Sequence, residues 1–242
     1  MVRQVIAKKI EAGNKSFRLR GHEVKRIEAF SDAVFAFAVT LLIVSLEVPK
    51  SFEELVITMR GFFAFGICFT LLMMIWFEQN IFFRRYGIDD TLCTVLNCIL
   101  IFLVLFFVYP LKFLFTLIFS SFIYGEANSP FDMGPQDSSQ LMLVYGSGYI
   151  FIYLLFAFMY MHALRKKEVL ELSGSEEYDT RTKIYSFYIL VAIGVLSVIM
   201  SQLLSNEKAG LAGLIYVLIG PAFSVFYRIR TKKKKKLFKV VS

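Results

Sequence analysis

Charge is scarce in this chain, and so are the residues that usually build soluble active sites. Of its 242 residues only 19% are charged, and there are just 2 His, 3 Cys, 5 Pro and 1 Trp. A soluble globular domain carries about 25% charged residues, so an ordinary water-facing fold is excluded. Cys68, Cys93 and Cys98 show no paired spacing and have no histidine close by in sequence. A disulfide framework and a zinc site are therefore not expected, and the default role of such cysteines is that of small buried apolar residues. His22 and His162 lack a local Ser, Cys or Asp partner of the kind a nucleophile needs, so no enzyme, cofactor or metal is expected.

What the chain has instead is apolar residues in long runs. They make up 57% of it, with 27 Phe. Six runs stand out, at 27–48, 61–83, 94–119, 141–163, 184–204 and 209–227. Each is long enough, at ~1.5 Å per residue, to cross a hydrocarbon core ~30 Å thick. Backbone polar groups in lipid must be satisfied within a helix or a closed barrel, and runs of this length are not the ~10-residue alternating strands of a barrel. The expected fold is an all-α membrane protein with six transmembrane helices. Residues 1–25 form a basic arm, 26–228 the six-helix domain and 229–242 a basic tail. The charged arm precedes any apolar run, so no cleavable signal peptide is expected. In the loop 120–140, Pro130, Gly134 and Pro135 stop helices, and Asp137, Ser138 and Ser139 offer N-caps for the fourth span.

Orientation follows from the basic residues. Of the 27 Lys and Arg, all but Lys50, Arg60, Lys112 and Lys208 fall in the arm, the tail, and the connections between the second and third and the fourth and fifth spans. The positive-inside rule makes that side cytoplasmic, together with both termini. A lysine run such as Lys232–Lys236 can bind nucleic acid. Directly after a span, topology plus attraction to anionic lipid is the better reading, and no nucleic-acid partner is expected.

The first span carries the unusual chemistry. Arg26 leads into it, and Glu28, Ser31 and Asp32 interrupt an otherwise apolar helix. A carboxylate there is costly, ~2.5–3.5 kcal/mol at a helix centre and less near an interface, so it needs a partner. Arg26, Ser31 and Asn97 of the third span are candidates. Asp32 could hold a permeating cation or a coupling proton, or it could clamp helices together. At about 100° per residue, Phe37, Thr40, Leu41 and Val44 share one stripe, whereas Asp32 lies ~140° and Ser31 ~120° from Phe37. That separation favours the clamp. In the fourth span, Tyr145-Gly146-Ser147-Gly148-Tyr149 superficially resembles a carbonyl potassium filter. Lacking a re-entrant loop and a Thr-Val lead, it reads as small-residue helix packing.

Arg26, Phe30, Ser31 and Asp32 form an Arg-x-x-x-Phe-Ser-Asp signature, in register with Thr40-Leu41-Leu42, Trp76, Asn97 and Tyr109-Pro110. With these landmarks the chain resembles the transmembrane protein 175 family of endolysosomal potassium channels, specifically its single-repeat prokaryotic members. The resemblance implies a homotetramer in the cell membrane whose central pore is lined by the first helix and conducts potassium in preference to sodium. It places the constriction at Phe37, with Leu41 and Val44 beyond it and Thr40 contributing to selectivity. It assigns Arg26, Phe30, Ser31, Asp32 and Asn97 to a structural polar network. Trp76 fits either that packing or an interfacial anchor. Two positions depart from the family pattern: Phe37 replaces the usual Ile or Leu, and Trp76-Phe77-Glu78-Gln79-Asn80 lacks the histidine that relatives tend to carry. Glu47, Glu53 and Glu54 could attract cations at the outer mouth or simply be solvated loop residues. A proton-coupled secondary transporter, motivated by Asp32, Glu78 and Asn97, is the alternative, although the paired broken helices of that class are not evident.

Overall fold

The computed structural model describes residues 17–44, 51–52, 59, 62–124, 137–204 and 206–238, and the side chains of 43–44, 118–124 and 206–209 are outside that description. Among the described residues, the α-helices in order are α1 (Arg26–Val44), α2 (Phe62–Tyr86), α3 (Thr91–Tyr124), α4 (Asp137–Arg165), α5 (Gly174–Leu203) and α6 (Ile219–Leu237), with a 3-10 segment (Asn206–Leu218) leading into α6. Among the described residues, five stretches are long and apolar enough to cross a membrane: Phe62–Tyr86, Thr91–Leu117, Asp137–Arg165, Gly174–Leu203 and Gly210–Leu237. α1 is shorter, at 19 residues. The expected helix stops at Pro130, Gly134 and Pro135 lie outside the described residues, as do Glu47, Glu53 and Glu54.

Two cores hold the helices. One packs Phe35, Ala38 and Leu42 of α1 against Cys68 and Leu72 of α2 and Ile101, Val104 and Val108 of α3. The other gathers Phe82, Phe83 and Tyr86 at the end of α2 with Phe156, Met159 and Tyr160 of α4 and Ile184, Phe187 and Leu190 of α5. The glycines of the filter-like sequence lie inside α4, where a Cβ on Gly146 would fall 2.2 Å from Val198 and one on Gly148 2.4 Å from the Phe107 ring. Their absent side chains are what lets α4 approach α5 and α3 so closely.

The sixth span differs from the expected continuous helix. Pro221 has no N–H, and its ring crowds the carbonyl four residues earlier. The α-ladder accordingly begins only at Ile219, which leaves Pro221 in the first turn, where it is tolerated. α5 also starts ten residues before its apolar run. Ser173 accepts from the Glu176 N–H while the Glu176 carboxylate accepts from the Ser173 N–H, a capping box that nucleates this polar extension.

The arm is more than a solvated basic segment. Phe17 sits edge-on to Tyr86 and is 9% exposed. The Arg20 guanidinium meets both oxygens of Glu176 at 2.9 and 3.1 Å and donates to the carbonyls of Leu170 and Glu171. The N–H groups of Arg20 and Gly21 both donate to the Arg84 carbonyl. A Cβ at Gly21 would stand 2.5 Å from the Phe83 carbonyl oxygen, so only glycine fits this approach. Gly87, at φ 59°, makes the tight turn after α2. Lys25 then bonds the Gly87 carbonyl and pairs with Asp89, and α1 begins at the next residue. The strap therefore fixes where α1 starts relative to α2, α3 and α5.

Candidate functional site

α1 has one face fastened to the bundle and one face free. Ser31, Phe35, Ala38 and Leu42 are buried, whereas Phe30 is 56%, Phe37 57% and Leu41 38% exposed, and Arg26 and Thr40 are exposed with them. The spacing explains this. Arg26, Phe30, Phe37 and Leu41 fall within about 40° of Phe37 around the helix, and the buried four lie some 100–160° away. Val44 belongs to the exposed stripe by register, but its side chain lies outside the described residues.

The fastened face is held by a chain of side-chain amides. Gln79 Nε2 donates to Asn97 Oδ1 at 2.6 Å, Asn97 Nδ2 donates to Ser31 Oγ at 2.7 Å, and the Ser31 hydroxyl donates to the Ile27 carbonyl at 2.8 Å. Ser31 and Asn97 are fully buried and Gln79 is 2% exposed. The chain fixes every amide orientation, because reversing either amide would set donor against donor or acceptor against acceptor. Beside it, Trp76 Nε1 donates to Asp32 Oδ1 at 2.7 Å. At the far end of α1, the Lys112 ammonium of α3 donates to the Leu42 carbonyl at 3.0 Å. That bond satisfies one of the carbonyls a helix terminus leaves open.

The structure redistributes the residues that the sequence grouped together. Ser31 and Asn97 are joined directly. The partner of Asp32 is Trp76 rather than Arg26, Ser31 or Asn97. Arg26 and Phe30 lie apart from that chain: their side chains form no hydrogen bond or ion pair among the described residues, and both share the exposed stripe with Phe37, because steps of four and seven residues return to the same helix face. Gln79 and Lys112 are the contributors that sequence reasoning missed. Gln79 could have been noticed as an amide three residues on from Trp76, while Lys112 looked like a minor topology marker. Thr40 turns inward to its own helix, its hydroxyl donating to the Ala36 carbonyl at 2.9 Å.

Glu78 occupies the same turn of α2 but faces the other core. Tyr160 of α4 donates to it at 2.6 Å and Lys183 of α5 pairs with it at 2.6 Å. One turn of α2, from Trp76 to Gln79, thus carries polar ties to α1, α3, α4 and α5. At the turn before α3, Asp90 accepts from the Cys93 N–H, contacts His162 Nε2 at 2.6 Å and pairs with Lys166 at 2.5 Å. Partial burial alone would raise the Asp90 pKa, but Lys166, the Cys93 N–H and His162 together outweigh it and hold the group at about 2. Among the described residues no cluster of His, Cys, Asp or Glu could hold a metal ion.

Comparison with known proteins places this arrangement. The family model described as the endosomal/lysosomal potassium channel TMEM175 matches residues 26–110, which run from the start of α1 through Pro110 of α3. A potassium channel of Marivirga tractuosa is 38% identical over 235 residues, covering 93% of this chain and 94% of its own. A potassium channel of Chamaesiphon minutus is 26% identical over 174 residues, covering 68% of this chain and 78% of its own. A crystal structure of a variant of the potassium channel MtTMEM175, in complex with a nanobody–MBP fusion, matches with a TM-score of 0.77 and 37% identity over 89% of this chain and 97% of that one.

Proposed function

Because the chain belongs to the family of the endosomal/lysosomal potassium channel TMEM175, we propose that it is a potassium-selective channel in which α1 from each of four subunits lines a central pore. Both termini lie in the cytoplasm on this reading. Phe37 forms the apolar constriction, with Leu41 and Val44 beyond it and Thr40 beside it. The mechanism needs no bound ligand. A ring of apolar side chains too narrow for a full hydration shell charges every cation its dehydration cost. Potassium holds its water less tightly than sodium, so it crosses at a lower barrier.

The observation that carries this reading is the asymmetry of α1. Phe37 and Leu41 stand exposed on one face, while the opposite face is pinned by the buried Gln79–Asn97–Ser31 chain and by Lys112. A pore helix needs such fixed rotation, because a turn of one residue position would replace the constriction with different side chains. Asp32, Glu78 and Asn97, the residues that motivate a coupled transporter, are each engaged by a neighbouring helix. That supports structural duties for them rather than proton exchange.

A cysteine scan of α1 in reconstituted protein, with Cys98 replaced by serine, tests the reading. Water-soluble thiol reagents should block flux from positions 37, 40, 41 and 44 and leave 31, 35, 38 and 42 unreacted. Protection of the Phe37 stripe together with block from position 31 or 32 would overturn it. Flux that requires an opposing proton gradient would favour the transporter.

A further inference from the structure

α6 does not stop at the membrane boundary. Its apolar portion closes near Tyr227, yet the helix continues through Leu237. The extension is docked on the polar opening turns of α5. The Arg230 guanidinium lies 4.1 Å from the Tyr178 ring centroid, and its Nε and Nη2 donate to Thr182 Oγ1 at 2.9 and 2.7 Å. The Tyr178 hydroxyl returns a bond to the Arg230 carbonyl at 3.0 Å. One turn on, Lys234 pairs with Asp179 at 2.5 Å, and the Phe238 ring meets Tyr178 edge-on. As far as Leu237 this extension is therefore a fixed helix, and two of its cations are used inside the subunit.

The others are not. Arg228, Lys232, Lys233, Lys235 and Lys236 are exposed and form no ion pair or hydrogen bond among the described residues. Four of them, Arg228, Lys232, Lys235 and Lys236, fall within about 100° of one another around the helix, away from Arg230 and Lys234. We infer that this face is a docking surface for anionic lipid headgroups of the bilayer that the protein spans. The inference rests on the membrane placement of α6 and is independent of what the pore conducts.

Fixed carriage makes the surface graded. At ~1.5 Å per residue, Lys232 stands ~6 Å and Lys236 ~12 Å beyond Arg228 if the helix runs along the bilayer normal. The headgroup layer on one side of a bilayer is about 5–7 Å deep, and charges in water are screened over ~8–10 Å. Arg228 and Lys232 thus reach lipid phosphates directly, whereas Lys235 and Lys236 act through a salt-sensitive field. A flexible tail would show no such order, since every lysine could fold back onto the surface.

The test is phosphatidylglycerol retention against phosphatidylcholine by the purified full-length protein, read by native mass spectrometry in mixed micelles. A basic residue beside the surface contributes ~1 kcal/mol, or about five-fold. Arg228→Gln with Lys232→Gln should therefore lower phosphatidylglycerol preference by roughly five- to twenty-five-fold. Lys235→Gln with Lys236→Gln should lower it only at low salt. Lys232→Gln alone, with unchanged thermal stability, covers the case in which the double variant misfolds. Unchanged preference in a folded Arg228/Lys232 variant overturns the inference, as do equal losses from both pairs. Displacement of the lipid by an RNA oligonucleotide at physiological salt would also overturn it, in favour of a nucleic-acid surface.

Discussion

Replacing Asn97 with alanine removes the centre of the polar chain that sets the rotation of α1. Two buried hydrogen bonds disappear, those of 2.6 Å from Gln79 and 2.7 Å to Ser31, and the Gln79 amide is left without its acceptor in a dry core. Interhelical hydrogen bonds in membranes average ~0.6 kcal/mol with a ceiling near 1.7, and stranding a buried donor costs ~1–3 kcal/mol. The expected loss for Asn97→Ala is therefore about 2 kcal/mol. Ser31→Ala also removes two bonds, the one accepted from Asn97 and the one donated to the Ile27 carbonyl, and strands the buried Asn97 Nδ2 donor while Gln79 stays paired, so its loss should likewise be about 2 kcal/mol. The double variant isolates the Ser31–Asn97 bond. Unfolding in mixed micelles can be followed by the fluorescence of Trp76, the chain's one tryptophan, which sits beside the network. A coupling of about 0.6–1.7 kcal/mol is expected. A coupling indistinguishable from zero would refute the idea that this chain anchors the helix.

Four further outcomes follow from the same geometry. Asp32→Ala breaks the Trp76 bond and should reduce the tetramer recovered on size exclusion; a normal tetramer with altered ion preference would contradict the clamp. Phe37→Leu should raise potassium flux with selectivity retained, and unchanged flux would move the constriction elsewhere. Asp90 has a folded pKa of about 2 against an ordinary 3.8. Its stabilising contribution is thus complete above about pH 4 and is lost as pH falls through that window toward 2. Asp90→Asn should flatten the acid limb of the unfolding curve measured there. Glu176→Gln removes the partner of a buried Arg20 guanidinium, a pair 11% and 4% exposed. Such a loss costs ~3 kcal/mol or more, so tryptic cleavage at Lys25 should accelerate roughly a hundred-fold, and an unchanged rate would mean that the strap is held by its other contacts.

Much of this architecture was legible before any coordinates. Long apolar runs identify spans because the hydropathy of some twenty residues adds up. Ser31 and Asn97 stood out as polar groups inside such runs. Which polar group meets which was not legible, because it depends on the rotation and axial offset of one helix against another. Asp32 therefore lacked Trp76 among its candidate partners, and Trp76 read as an interfacial anchor as readily as a packing residue. Arg26 and Phe30 were grouped with Ser31 by the family resemblance, while helical spacing puts them on the Phe37 side. The strap from Phe17 to Lys25 escaped notice for a different reason. Many of its bonds run to backbone carbonyls of Arg84, Gly87, Leu170 and Glu171, which no side-chain pattern reveals. The interruption at Pro221 was available from composition but was masked by the continuous hydropathy around it.

The central claim is selective potassium conduction through the pore lined by α1. Its most direct test is the reversal potential of purified, reconstituted protein with potassium on one side of the bilayer and sodium on the other. A reversal displaced strongly toward the potassium equilibrium value, carried by unitary current steps at fixed voltage, is the predicted result. A reversal at zero, or flux that appears only with an imposed proton gradient, would contradict it.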